Sequence, residues 1–185
     1  MINSVPLTRT HFEQALTKEQ LRVTLFIRIA LMLGICFFYF VVLLIYFMRT
    51  TKSFSQPDTS LMDALSIFHM VFTVAMTPIA FYISRLPLRP ERLAGQNTLP
   101  SSENASLIAV NLYRISSLLL MAPIEAAAFI GAAVCLIGVQ NGTIEIYPIY
   151  WLNVFSAVLF ILVGMITFPT RERILETLES SFIQR

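Results

Sequence analysis

The chain has 185 residues, of which 56% are hydrophobic and only 13% are charged, and its mean hydropathy is +0.72. A chain of this size with so few charged residues is too apolar for a water-soluble domain, which predicts a membrane protein. The net charge of +2 is too small to indicate a nucleic-acid partner. Cys36 and Cys135 lie inside apolar segments, so the sequence supports neither a disulfide framework nor a thiolate metal site.

Four apolar segments follow one another along the chain. The first contains no charged residue from Ile29 to Met48, and a helix of about 20 such residues crosses the roughly 30 Å hydrocarbon layer. The segments between the spans carry Pro, Ser, Asn and Asn-Gly turn signals and are predicted to be loops. We predict spans at about 22–48, 62–84, 107–139 and 147–168, and loops at 49–61, 85–106 and 140–146.

The cytoplasmic tail, residues 170–185, has apolar residues at helical spacing with charged residues between them. This pattern predicts an amphipathic helix that lies on the membrane surface. The sequence therefore predicts an all-α, polytopic membrane protein that forms a single domain over residues 1–185. Its four spans are expected to form a four-helix bundle, followed by the C-terminal amphipathic helix.

The positive residues are distributed unequally between the two sides of this four-span topology. Eleven of the 13 lysines and arginines fall on the side of the termini and only Arg49 and Lys52 fall on the other. Because lysine and arginine are retained on the cytoplasmic side, both termini are predicted to be cytoplasmic. Arg28 and Arg114 are expected to anchor the inner interface, and Trp151 the outer one.

The two halves of the chain share short features. Helix 1 enters the membrane with Arg28-Ile-Ala and helix 3 with Arg114-Ile-Ser, while helices 2 and 4 both end in a proline followed by arginines. Proline stops a span and arginine anchors it. The match leaves two interpretations open. The chain contains a duplicated pair of helical hairpins in parallel orientation, or the same residues mark the span ends in both halves without any duplication.

Glu125 is the strongest candidate in the sequence for a residue with a chemical role. It lies 11 residues beyond Arg114, which is roughly 16 Å deeper along a helix and close to the bilayer centre. A carboxyl group at that depth is expected to be neutral, paired or turned toward the bundle interior. Three roles stay open: a structural hydrogen bond, proton or ion handling, or contact with a ligand. Its expected partners across the bundle are Tyr39, Thr73, Thr77, Asn153 and Ser156.

Small residues surround Glu125 on the third span. Ala127 and Gly131 form a small-xxx-small pair, which indicates close helix packing within the protein or against another subunit. Pro123 removes a backbone donor, so a kink beside Glu125 is expected. His69 has no second metal-ligating residue three or four positions further along and is expected to be structural. No nucleophile with its base, phosphate loop or metal site is recognisable.

The sequence from Arg114 to Gly131 resembles the carboxylate-bearing second helix of the c subunit of rotary ATP synthases. The resemblance covers about 25 residues and implies that Glu125 matches the family's proton-binding carboxylate and Arg114 an entrance-side positive residue. The glycine-striped helix of that family is missing, since the second span has no glycine and the first has only Gly34. The helix order, the 22-residue loop and the tail resemble small uncharacterised bacterial four-span membrane proteins more closely.

Two functions follow from these features. The first is a non-enzymatic scaffold or accessory subunit of a membrane complex, with lipids and either other membrane subunits or further copies of itself as partners, and with no cofactor or nucleic acid. The alternative is a proton- or ion-coupled transport component in which Glu125 carries the proton and Tyr39, Thr73 or Asn153 lines the path.

Overall fold

The computed structural model describes residues 7–49, 59–94 and 102–183, and all regular secondary structure within these ranges is helical. Four helical segments are long and apolar enough to cross a membrane: Lys18–Met48 (α2), Ser60–Arg85 (α3), Ser102–Asn141 (α5) and Pro148–Ile166. The predicted all-α bundle with four spans is confirmed. The last span begins as a 3₁₀ helix, Pro148–Val154, and continues as the α-helix Phe155–Ile166 (α7).

Four shorter helices complete the described structure. They are Arg9–Ala15 (α1), Pro90–Ala94 (α4), Thr143–Ile146 (α6) and Arg171–Phe182 (α8). The predicted C-terminal helix is α8, and the Thr170 side chain accepts a hydrogen bond from the Arg173 N–H at its start. A threonine before the first turn supplies an acceptor for a backbone donor that has no partner within the helix, so α8 begins there.

Helix α5 is longer than its apolar segment. Its 40 residues span about 60 Å, roughly twice the hydrocarbon thickness, and it begins at Ser102 rather than near residue 107. The loop predicted at 85–106 is therefore wrong at 90–94 and 102–106, while 95–101 lie outside the described residues. Hydropathy marks where apolar residues begin, and a helix whose first turns are polar starts earlier.

The loops predicted at 49–61 and 140–146 differ in how much of them the structure describes. Residues 50–58 of the loop at 49–61 lie outside the described residues. The Asn-Gly turn is confirmed, because Gly142 has φ 73°, a left-handed conformation that glycine adopts without steric cost. The short helix α6 follows immediately, so the rest of the predicted loop at 140–146 is helical.

The chain divides into two compact units, each assembled from segments that are distant in the sequence. The first unit comprises Met1–Arg28, Ala80–Leu120 and Thr167–Arg185. The second unit comprises Ile29–Ile79 and Met121–Ile166.

The first unit has an apolar core in which α1 and α8 take part. Phe12 of α1 is fully buried, as are Ile174, Leu175 and Leu178 of α8. The core also contains Ala15, Leu16, Leu93, Ala109, Val110, Tyr113 and Phe182. The apolar face of α8 was expected to lie on the membrane surface, and it packs inside the protein instead. An N-terminal helix that supplies a matching apolar face, which the sequence pattern did not indicate, accounts for the difference.

The second unit is apolar on its outside as well as in its interior. Its large apolar side chains point outward on α2 and α3, with Phe37, Phe47 and Val74 all more than two-thirds exposed. Its buried residues include apolar side chains such as Phe160 and the polar side chains of His69, Thr73, Asn153 and Ser156. An apolar surface around polar buried groups is typical of helices that face lipid.

Candidate functional site: the polar cluster around His69

His69 lies at the centre of the polar interior of the second unit. It projects from the middle of α3 and is fully buried. The 3₁₀ helix contributes Asn153, α7 contributes Ser156 and α2 contributes Tyr39, all of which are also buried. We call these four residues the His69 cluster.

Both ring nitrogens of His69 have partners. Nδ1 lies 2.7 Å from Asn153 Oδ1, and Nε2 lies 2.9 Å from Ser156 Oγ. The Asn153 amide nitrogen donates to Ser66 Oγ and to the Tyr150 carbonyl, so its Oδ1 is the acceptor toward the ring. With the amide in this orientation, Nδ1 donates to Asn153 Oδ1, and Nε2 of a neutral imidazole accepts from the Ser156 hydroxyl.

Asn153 connects the remaining members of the cluster. Its backbone carbonyl accepts a hydrogen bond from the Tyr39 hydroxyl at 3.1 Å and lies 3.3 Å from Ser156 Oγ. Tyr150, one 3₁₀ turn earlier, donates its own hydroxyl to Asp63 Oδ1 at 2.7 Å. One amide side chain thus bonds partners on α3 and on its own helix, which fixes the register of these elements.

Gly131 of α5 makes room for the cluster. A Cβ atom at this position would lie 2.7 Å from both His69 Nε2 and Ser156 Oγ, and it would also collide with the Asn153 carbonyl. These distances are shorter than any van der Waals contact allows. The small-xxx-small pair Ala127 and Gly131 therefore serves packing within the chain, since Ala127 is also buried.

The residues predicted to accompany Glu125 accompany His69 instead. Tyr39 and Asn153 belong to the His69 cluster, and Thr73 donates its hydroxyl to the His69 carbonyl at 2.8 Å. Glu125 is half-buried and makes no hydrogen bond or ion pair with any residue that the structure describes. The number of residues between Arg114 and Glu125 predicts the depth of Glu125 in the membrane. It does not predict which side of α5 faces the polar groups of α2, α3 and α7, and these groups lie on another side.

The surroundings of Glu125 on α5 are open. Ala122, Ala126, Phe129 and Ala133 are exposed, and with Glu125 they form one side of the helix, which we call the α5 outer face. The Phe129 ring packs edge-on against Phe38. Helix α5 continues without interruption through Pro123, and the kink expected there stays a prediction.

The three predicted interface anchors have different environments. Trp151 packs edge-on against Tyr46 in the second unit, with ring centroids 5.5 Å apart. In the first unit, Arg114 donates through Nη2 to Gln20 Oε1, whereas Arg28 is 97% buried and donates through Nη2 to the Thr167 carbonyl at 2.9 Å. Arg28 was expected to extend to the interface, and the structure buries its guanidinium within the first unit.

The chemistry available to the cluster is hydrogen bonding and proton exchange. Within the described ranges, no group of three or more His, Cys, Asp or Glu residues is arranged to hold a metal ion. Cys36 is exposed and Cys135 is buried, and neither forms a disulfide. His69 was interpreted from the sequence as structural because it lacks ligating neighbours at i+3 and i+4.

The pattern Asn153-x-x-Ser156 could have indicated a polar partner for His69 from the sequence. This spacing puts two polar side chains on one side of an otherwise apolar span.

No known family model, curated protein or solved structure matches the chain.

Proposed function

We propose that the chain is a non-enzymatic scaffold or accessory subunit of a membrane complex, which acts by packing its α5 outer face against another subunit or a second copy of itself. The unequal distribution of positive residues supports a bacterial inner membrane location with both termini in the cytoplasm. The observation that carries the proposal is a carboxyl group that bonds no described residue and lies beside three exposed alanines on one helix face.

The small residues of the α5 outer face support close helix packing. In lipid there is no hydrophobic drive between helices, so association depends on van der Waals contact and hydrogen bonds, both of which need a close approach of the backbones. The Ala127 and Gly131 side of the same helix already uses this principle within the chain. Ala122, Ala126 and Ala133 are small and exposed on the α5 outer face, and the one large side chain among them, Phe129, already packs against Phe38.

Glu125 supplies the polar element of this face. Exposing a carboxyl group to lipid in the middle of a span is unfavourable by a few kcal/mol. A hydrogen bond across a helix interface offsets part of this unfavourable free energy. Since no described residue of the chain bonds Glu125, a partner helix with a polar side chain would satisfy it.

The experiment compares two alanine-to-leucine variants by native mass spectrometry of protein extracted from its own membranes in a mild detergent. Ala126→Leu adds bulk to the α5 outer face and is expected to reduce the assembly to single chains. Ala30→Leu, at an exposed position of α2, is the matched control and is expected to leave the assembly intact. An assembly of unchanged mass and composition in Ala126→Leu would contradict the proposal.

A second candidate function, a proton- or ion-coupled transport component, is supported by the Ser156 hydroxyl. It lies 2.9 Å from His69 Nε2 and 3.3 Å from the Asn153 carbonyl, so it can donate to either. A proton that arrives at Nε2 turns this nitrogen into a donor, and the hydroxyl can then turn to the carbonyl. The His69 cluster can thus hold one more proton without losing its hydrogen bonds.

Proton uptake into vesicles that contain the purified protein, followed with a pH-sensitive dye, tests this second function. Ser156→Ala is expected to reduce uptake to the level of empty vesicles, and Glu125→Gln to do the same if Glu125 shares the path. Thr77→Val is the control that should retain uptake, because among the described residues the Thr77 hydroxyl bonds the Thr73 carbonyl and no member of the His69 cluster. Uptake equal to that of empty vesicles in the unmodified protein would exclude this function.

A further inference from the structure

Arg28 presents buried donors for which no described residue supplies an acceptor. Its side chain is 97% buried in the first unit, and only Nη2 has a partner, the Thr167 carbonyl at 2.9 Å. Nε and Nη1, which together carry three N–H groups, make no hydrogen bond with any described residue. A buried charge is strongly unfavourable unless it is paired and hydrogen-bonded, so an acceptor is expected at this position.

The electrostatic surroundings of Arg28 are positive. Thr167 follows the last residue of α7, where the helix dipole places about half a negative charge. Arg173 donates to the next carbonyl, that of Phe168, at 3.1 Å, so two guanidinium groups bond the same helix end. Both arginines interact electrostatically with Tyr113, and no carboxylate of the described residues contributes to the electrostatics of Arg28. The half charge of the helix end therefore does not by itself neutralise the full charge of Arg28.

We propose that Arg28 binds one phosphate group in the first unit. Phosphate oxygens accept several charge-assisted hydrogen bonds at once, which matches donors left over on two separate nitrogens of one guanidinium. The Tyr113 hydroxyl, which forms no hydrogen bond with a described residue, is a further donor in the same surroundings. The phosphate group comes from a lipid headgroup or from free inorganic phosphate, and the two sources are separable by experiment.

The test measures thermal unfolding of the full chain in a neutral detergent with paired additives. Dioleoylphosphatidic acid is compared with dioleoylglycerol, which has the same acyl chains and no phosphate, and sodium phosphate is compared with sodium chloride at equal ionic strength. At about a hundredfold excess over its Kd, the bound phosphate group is expected to raise Tm by roughly 5–10 °C. A rise with the lipid alone identifies a headgroup, and a rise with both identifies a site open to free phosphate.

Three variants assign the effect to Arg28. Arg28→Gln is expected to lose the rise, and Arg22→Gln, which removes an exposed arginine from the same helix, is expected to keep it. If Arg28→Gln does not fold, Arg28→Lys takes its place, because lysine keeps the charge and concentrates its donors on one nitrogen, which should reduce the rise. The proposal is overturned if neither phosphate compound raises Tm above its phosphate-free counterpart, or if the Arg28 variant responds like the unmodified protein.

Discussion

The α1 and α8 region of the first unit and the interior of the second unit are built in opposite ways. Between α1 and α8, apolar side chains such as Phe12 and Leu175 are buried, and charged side chains such as Arg9 and Glu172 are exposed. In the second unit, Phe37 is exposed while His69 and Asn153 are buried. The same chain thus contains one region with the pattern of a water-soluble protein and one with the pattern of a membrane protein.

The difference shows which interaction stabilises each region. Burial of apolar area stabilises a region in contact with water, because water excludes apolar groups. Lipid does not exclude them, so helices in lipid depend on close packing and on hydrogen bonds between polar groups that lipid cannot satisfy. The same type of substitution should therefore change the free energy of unfolding by different amounts in the two regions.

The largest expected effect is that of Phe12→Ala, which removes a fully buried ring from the core of the first unit. The free energy of opening α1 and α8 should fall by about 3–5 kcal/mol, measured by hydrogen exchange of their amides. Phe37→Ala, in the second unit, removes a ring that is 68% exposed and should change stability by less than about 0.5 kcal/mol. Equal effects of the two substitutions would mean that the Phe37 ring is buried as deeply as the Phe12 ring, which would contradict the outward-facing apolar side chains of the second unit.

An intermediate effect is expected for Gly131→Ala, which tests the close packing of the second unit. The added methyl group would meet His69 and Ser156 at 2.7 Å, and overpacking of this kind costs about 1–3 kcal/mol. Gly34→Ala is the control, since the new Cβ would meet nothing within 4 Å beyond its chain neighbours and its own helix backbone. Helix propensity should stabilise this variant by up to about 1 kcal/mol. Thermal unfolding in one detergent gives both values, and a Gly131→Ala protein as stable as Gly34→Ala would contradict the packing described.

The smallest effect is expected for Arg9→Gln, which removes the exposed ion pairs between α1 and α8. Arg9 bonds Glu13, Glu172 and Glu179 at 3.2, 2.8 and 3.4 Å. Exposed ion pairs contribute little and are screened by salt, so Tm should fall by only about 1–2 °C at low salt and by less in 1 M salt.

The pH dependence of the Arg9 pairs has a definite sign. The hydrogen bond with Glu13 raises the pKa of Arg9 above its ordinary value. A group whose pKa is raised on folding stabilises the fold below its unfolded pKa and loses this effect only as pH rises through the folded value. The difference between Arg9→Gln and the unmodified protein should therefore be the same at pH 6 and pH 9. Arg22→Gln, at an exposed position without an ion pair, should show no salt-dependent difference.

The sequence by itself determined the four spans, because a helix must satisfy its backbone groups within lipid and needs about 20 apolar residues to cross it. It also determined the turn at Gly142 and the start of α8 after Pro169, since both depend on the local chemistry of one or two residues. The depth of Glu125 is likewise a prediction from rise per residue alone.

Only the tertiary structure decided which polar groups meet. Tyr39, Thr73 and Asn153 were expected to accompany Glu125, yet they surround His69 and leave Glu125 without a partner among the described residues. Hydropathy and spacing report the depth of a residue and the helix that carries it. They do not report how each helix is rotated about its own axis. That rotation is set by contacts between residues distant in sequence, such as Gly131 against Asn153 in the second unit and Phe12 against the apolar face of α8 in the first.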